Sequence, residues 1–467
     1  MNEEELQKAK TYRDRVSTVT KEGNRNWVFA TKPKGFFTNL RKYFAWFYLA
    51  IFFIMPLIYV NDMPLVMFNF PEAKFIIFGK IFWPQDFFIF AVSMVTGIVF
   101  IALFTVIYGR LFCGWTCPQT IFMEFVFRKI EWWIEGSPNE QRKRRKAPWD
   151  AKKIRIKLTK HIIFLAVSLL ISHTFLAYIF GYKEVAVMMT EPLSKHAGLF
   201  TGLIIFTLLF YGVYAYVRDI ICTTVCPYGR LQGVLFDKDT MQIAYDYKRG
   251  EERARLRKKE ERTAGDCIDC NKCVHVCPTG IDIRDGLQME CVGCTACIDA
   301  CDEVMEKVGF KKGLIRYASE NEIEGKGKFH FNRRMKAYTI LLIGLFGFIA
   351  FLIGTRKPVD TIISRVKGQL FQKVGEDSMS NLFSAKVINK TNKTKTLDLR
   401  LEGGAGRIKW LTNKEHIMHR ESKDELTFFV VLPNTSVQKR KTDISISVYG
   451  NNEKIETVET TFLGPFK

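Results

Sequence analysis

Eight cysteines between residues 267 and 301 fall into two runs of four. Cys267, Cys270, Cys273 and Cys277-Pro278 read C-x2-C-x2-C-x3-C-P; Cys291, Cys294, Cys297 and Cys301 repeat the spacing and end in Asp302. Soft thiolates suit iron–sulfur clusters, zinc and cuprous copper. The spacing is that of the bacterial two-cluster ferredoxin, where three close thiolates wrap one corner of a cubane and the fourth cysteine ligates the other cluster. One 4Fe–4S cluster is therefore assigned to Cys267, Cys270, Cys273 and Cys301, and the other to Cys291, Cys294, Cys297 and Cys277. Zinc is the poorer fit, because zinc ribbons rarely carry two uninterrupted runs of four cysteines. Asp302 in place of proline removes a turn-setting residue and no ligand. His275, inside the first run, is expected to be a solvated loop residue.

The other four cysteines form two pairs, Cys113-Gly-Trp-Thr-Cys117-Pro118 and Cys222-Thr-Thr-Val-Cys226-Pro227. Tyr-Gly-Arg-Leu-Phe precedes the first and Tyr-Val-Arg-Asp-Ile-Ile the second, which makes an internal repeat. A continuous helix would place both sulfurs of a pair on one face. The proline disfavours helix at the residue before it, so the second cysteine should lie near a break. Identical spacing points to a metal or redox site in which four thiolates converge beside the ferredoxin. Copper, a further iron–sulfur cluster and a redox-active dithiol all fit. His161 and His173 share one apolar segment with no partner histidine in another, so a helix–helix hydrogen bond or an interfacial place is expected rather than haem. Met63, Met67, Met188 and Met189 are expected in ordinary apolar contacts rather than on copper.

These thiols must be held by apolar helices. The chain has 467 residues, 48% of them hydrophobic and 40 of them Phe. Five apolar stretches are long enough, or nearly so, for a bilayer, which needs roughly 17–25 residues: about Tyr43–Val60, Phe87–Tyr108, His161–Phe180, Leu199–Val217 and Ala337–Gly354. Pro64, Pro71 and Lys74 interrupt Met63–Trp83, which reads as an outside loop. Ten Lys and Arg precede Tyr43 and twelve lie between Arg128 and Lys160, whereas the loops Asn61–Asp86 and Gly181–Gly198 hold two each. Cytoplasmic loops keep positive charge, so the N-terminus and the ferredoxin segment should be cytoplasmic and everything after Thr355 on the far side. The net charge of +21 is then largely a topology code, with anionic lipid as its neighbour rather than nucleic acid. The tight cysteine groups exclude a disulfide-stapled secreted chain, and the apolar runs exclude a soluble single domain or a simple DNA-binding module.

The expected fold is an α-helical integral membrane protein of five transmembrane helices, with an inserted bacterial-type two-cluster α+β ferredoxin domain and a C-terminal all-β immunoglobulin-like sandwich. Residues 1–42 would be a cytoplasmic tail and 43–217 a four-helix membrane domain with the basic loop 128–160. Residues 218–336 would hold the ferredoxin, its core at about 260–310, after an exposed helix or linker over Lys248–Arg262. Residues 337–354 would form the fifth helix and 355–467 the sandwich. The sandwich rests on about seven alternating runs, among them Ser384-Ala-Lys-Val-Ile and Leu426-Thr-Phe-Phe-Val-Val, separated by Asn, Gly and Lys turns.

From about Trp46 to the last strand, the chain resembles the cytochrome c oxidase accessory proteins called CcoG, FixG or RdxA. The residues that carry the resemblance are Cys113-Gly-Trp-Thr-Cys117-Pro118-Gln119-Thr120, Cys222-Thr-Thr-Val-Cys226-Pro227-Tyr228-Gly229-Arg230 and the eight ferredoxin cysteines, followed by a further span and a β domain. The membrane half alone is similar also to the NapH and NosR types. The resemblance implies a bacterial inner-membrane protein that reduces Cu(II) to Cu(I) during assembly of a cbb3-type oxidase, with copper at Cys113, Cys117, Cys222 and Cys226. It implies an unidentified cytoplasmic electron donor and, as partners, oxidase assembly factors or copper carriers; homo-oligomerisation stays open. Two alternatives are a quinol- or flavoprotein-linked electron conduit without a copper step, and a non-enzymatic scaffold or redox sensor.

Overall fold

The computed structural model describes residues 25–256, 262–286, 288–327 and 329–465, apart from residues 358, 367, 369, 376, 392, 404–405, 412–416, 420–421 and 438. The expected helix or linker over Lys248–Arg262 lies partly outside the described residues, as does most of the N-terminal tail. Among the described residues, five helices are long and apolar enough to cross a membrane: Phe36–Leu57, Phe87–Tyr108, Ala151–Phe180, Ala197–Val217 and Arg333–Gly354. At a rise of about 1.5 Å per residue, each spans about the 30 Å of a bilayer core. The third helix is the longest because its first turns, Ala151–Lys160, carry Lys and Arg outward from the apolar part, behind an N-cap in which Asp150 accepts from the Lys153 N–H. The chain is a multi-pass membrane protein.

The chain forms two compact units. One comprises Met1–Leu57, Ala91–Ala177 and Gly181–Phe348, and contains every cysteine. In it, Gln242–Tyr245 pairs antiparallel with Ile315–Ala318 and brackets the eight-cysteine segment. That segment is mostly loop, with the helix Ala296–Val308 as its main regular element. Asp299 on this helix caps the first span, accepting the Phe37 N–H at 3.1 Å and the Thr38 N–H at 2.7 Å. A carboxylate at a helix N-terminus satisfies orphan amides and opposes the positive end of the dipole.

The other unit comprises Ile58–Phe90, Tyr178–Phe180 and Ile349–Lys467. Its C-terminal part is a two-sheet β domain. Arg407–Trp410, Lys423–Pro433, Ser378–Asn389 and Val359–Arg365 lie in that order in one sheet, with Gln372–Val374 also on Ser378–Asn389. Ile417–Met418, Lys395–Glu402, Lys441–Gly450 and Glu453–Leu463 make the second. Alternation along each strand turns Phe383, Val387, Phe428, Val430, Ile446, Val448 and Phe462 into one buried core. The segment expected as a plain loop instead forms a three-stranded sheet, Val66–Asn69, Lys74–Ile77 and Lys80–Phe82. Pro64 and Pro71 fall outside these three strands, so they do not break the pairing. Met63 and Met67 pack there with Ile76 and Ile81.

Candidate metal centres

The two ferredoxin runs fold as local copies of each other. Asp269 and Asn271, either side of Cys270, have φ of 50° and 56°; Gly293 and Thr295, either side of Cys294, have φ of 69° and 60°. Left-handed residues next to right-handed ones turn successive N–H groups to one side, the kind of concavity that holds anionic groups. Cys294 is so placed that the Ala296 N–H donates to its sulfur, and Cys291 receives the Gly293 N–H. Asp269 and Asn271 are residue types that tolerate positive φ, whereas nothing in the β-branched Thr295 signals it.

The thiols gather round two cavities. Cys267, Cys270, Cys273 and Cys301 line one, with Tyr245, Met305 and Leu314 among its walls. Cys277, Cys291, Cys294 and Cys297 line the other, and Cys273 lines it as well. Among the described residues, no three His, Cys, Asp or Glu side chains close on a point that a single ion could fill. Four thiols spread round each space suit a multi-iron cluster. Burial pushes Cys294 and Cys291 up to about 11 and Cys273 and Cys301 up to about 12, so metal must displace their protons to bind. The donor set fits two iron–sulfur clusters.

The membrane-edge pairs share a turn that is not an α-helix. The Cys117 N–H donates to the Phe112 carbonyl at 3.0 Å, and the Cys226 N–H to the Ile221 carbonyl at 2.7 Å, each five residues back. Such wide turns recur at functional sites. Cys117 and Cys226 are then extended, with ψ of 124° and 115°, and each caps a helix that begins at the following proline. The break expected at the second cysteine is therefore present, and the two sulfurs of a pair do not ride one helix face. The repeat also aligns differently from its arginines. Gly109 and Arg218, each four residues before the first cysteine, both end their span with left-handed φ, 55° and 57°. Arg218 holds this strained conformation while its guanidinium pairs with Glu131 at 2.6 Å.

Both pairs lie against the second ferredoxin run. Cys113 and Cys222 pack on Val276, Val292, Cys294, Ala296 and Ala300. Arg41, buried at the start of the first span, donates through Nε and Nη2 to the Gly114 carbonyl and through Nη1 to the Cys294 carbonyl. Arg110 reaches the Met289 carbonyl, the Cys291 carbonyl at 3.2 Å and the Gly229 carbonyl at 2.8 Å. Arg41, counted among the tail charges as a topology signal, is thus with Arg110 a clamp between thiol loops. The buried Gln232 amide donates to Cys113 Sγ at 3.4 Å. Burial raises Cys113 to about 11 against that bond, with Cys117 and Cys226 adding repulsion. Burial also raises Cys222, helped by Asp219 and by all three other thiols of the group. The four sulfurs sense one another without closing on a single point. His161 has no such company: its Nδ1 hydrogen-bonds the Tyr211 hydroxyl at 2.8 Å, between the third and fourth spans. His275 is exposed, as expected.

Fold and site together define a membrane-bound iron–sulfur electron-transfer protein with an immunoglobulin-like domain. Residues 217–320 match the family described as "4Fe-4S dicluster domain", residues 90–136 "4Fe-4S binding domain", and residues 349–465 "IG-like fold at C-terminal of FixG". Protein RdxA of Cereibacter sphaeroides is 32% identical over 352 residues, covering 73% of this chain and 74% of that one. The nitrogen fixation protein FixG of Rhizobium meliloti is 30% identical over 422 residues, 81% of this chain and 80% of its own. Ferredoxin-type protein NapH of Escherichia coli is 24% identical over 224 residues, 46% of this chain and 67% of that one. The chain belongs to the RdxA and FixG family.

Proposed function

We propose that this chain reduces Cu(II) to Cu(I) for the maturation of a cbb3-type oxidase in a bacterial inner membrane, with the ferredoxin segment cytoplasmic and the β domain periplasmic. In this reading Cys267, Cys270, Cys273 and Cys301 hold one 4Fe–4S cluster, and Cys277, Cys291, Cys294 and Cys297 the other. When bound, such clusters supply one-electron transfer at low potential. Copper is the substrate, taken as Cu(II) and released as Cu(I) after gaining one electron, and soft thiolates favour the cuprous state. The observation that carries the reading is the packing of Cys113 and Cys222 on the Cys291–Cys297 run. The residues around them keep water out, hold the thiols protonated until metal arrives and fix Cys113 through Gln232.

A second reading, an electron conduit in which the membrane-edge thiols hold a further cluster, is favoured by the match of residues 90–136 to a 4Fe–4S binding domain. Metal analysis of wild-type protein and of Cys222→Ser/Cys226→Ser, with and without added copper, separates the two. The copper reading expects about eight iron per chain in both and bound copper only in the wild type. About twelve iron in the wild type, falling in the variant, with no copper uptake, would replace it by the second reading.

A further inference from the structure

The exposed cysteine of the ferredoxin segment is Cys270, in the cavity of the first run. The membrane-edge thiols Cys113 and Cys222 pack on Val276 and on Val292, Cys294, Ala296 and Ala300, which leaves the cavity of the exposed Cys270 as the one a donor can approach. Beside it opens a cleft of about 480 Å³ that no part of the copper chemistry uses. Lys32, Lys34, Arg142, Lys272 and His275 line it with a single acid, Glu303. Four separate chain segments bring these charges together, and the Thr31 N–H fastens the first of them to the His275 carbonyl at 2.9 Å. Lys272 is shared: it lines both this cleft and the cavity of Cys267, Cys270, Cys273 and Cys301. Glu303 is already matched by Lys307 and, at 4.0 Å, by Lys272. Among the described residues Lys32, Lys34 and Arg142 have no acidic partner within ion-pair distance.

We infer that this cleft docks an acidic, soluble one-electron carrier protein, which delivers electrons across the Lys272 wall. The carrier's carboxylates would pair with Lys32, Lys34 and Arg142. One electron leaves the reduced carrier and enters the site behind Lys272, and no bond or proton need move at the cleft. Complementary charge raises encounter rates and makes them depend on salt. Membrane lipid is the weaker occupant, because Lys272 also lines the cavity of Cys267, Cys270, Cys273 and Cys301, which ties the cleft to the redox site. The inference rests on the iron–sulfur reading and not on the copper step.

The test uses the full chain in nanodiscs with its clusters in place and an acidic flavodoxin as probe. Affinity for oxidised flavodoxin is measured by calorimetry, and bleaching of the iron–sulfur absorbance is followed with reduced flavodoxin or with reduced methyl viologen. Lys32→Gln/Lys34→Gln/Arg142→Gln should weaken flavodoxin binding and slow its reaction at least tenfold at low salt, leaving the viologen rate unchanged. Unaltered flavodoxin binding, equal slowing of both donors, or loss only of binding to anionic vesicles would overturn the inference, as would a wild type that does not bind flavodoxin. Failure of the iron–sulfur reading would show separately, as a wild type without the absorbance. Failure of the copper step would leave these rates untouched.

Discussion

Gly114 and Gly293 meet with no room for a side chain: a Cβ on Gly114 would lie 2.4 Å from the Gly293 carbonyl oxygen. Gly293 is as confined from its other side, where a Cβ would lie 2.6 Å from the Arg110 carbonyl oxygen at φ of +69°. The loop of the first membrane-edge pair and the second ferredoxin run therefore touch backbone to backbone. Gly114→Ala should cost about 1–3 kcal/mol by overpacking and slow the reoxidation of the reduced ferredoxin segment by Cu(II), with reduction by dithionite unaffected. Gly309→Ala is the control, since it too has positive φ but open space around it; it should cost about 1 kcal/mol and leave electron flow alone. Thermal melts and stopped-flow reoxidation measure both. Equal behaviour of the two variants would mean the close approach is unimportant.

Arg41 should be sensitive to shape and to charge separately. Arg41→Lys keeps the charge but loses the fork that serves the Gly114 and Cys294 carbonyls, at a cost of about 1–3 kcal/mol for buried acceptors left unpaired. Arg41→Gln also removes the positive charge beside Cys294, which favours the more reduced state. Its midpoint potential should fall by on the order of 50 mV. A spectroscopic redox titration checks this, and identical potentials in both variants would remove the electrostatic role.

Iron content should follow the two cavities. Wild-type protein prepared without oxygen should hold about eight iron, and removal of either Cys267 with Cys270 or Cys291 with Cys294 should leave about four. Stoichiometric zinc, or a single substitution set that empties both cavities of an otherwise folded chain, would contradict the division.

Acid should loosen the unit that carries the β domain. Asp86 is buried, 2.5 Å from Arg356 and 2.6 Å from Lys390, which also pairs with Asp360. Burial works against its ionised form, but the hydrogen bonds from Arg356 and Lys390 prevail and hold its pKa below the ordinary value. A depressed carboxyl contributes stability fully above the unfolded pKa of about 4 and loses it as pH falls through the folded value. Asp86→Asn should therefore cost roughly 3 kcal/mol near neutrality, and the gap to wild type should close in acid. Melting curves from pH 7 to pH 3 test this; a gap that persists at the acid end would assign the loss to shape rather than charge.

Much of the fold was legible in the sequence because its signals are local. Apolar runs mark the five spans, alternation marks the sandwich strands, and the C-x2-C spacing anticipates the grouping of eight cysteines about two cavities. What escaped depends on distant contacts or on backbone chirality. Arg41 reads as one of ten tail charges, yet its role comes from the Cys294 carbonyl. The sheet at Val66–Phe82 was hidden by prolines that fall outside its strands. Pro118 and Pro227 announce the breaks at Cys117 and Cys226 but not the wide turns that close them, and the equivalence of Gly109 with Arg218 is visible only in φ.

The copper step is tested most directly by giving Cu(II) to protein reduced anaerobically and freed of reductant, in the presence of a Cu(I)-specific chelator. The expected result is about two Cu(I) per chain, one for each cluster reoxidised, and none from the variant in which Cys113, Cys117, Cys222 and Cys226 are Ser, although its clusters still reduce. Reoxidation without Cu(I), or the same Cu(I) yield and rate from that variant, would contradict it.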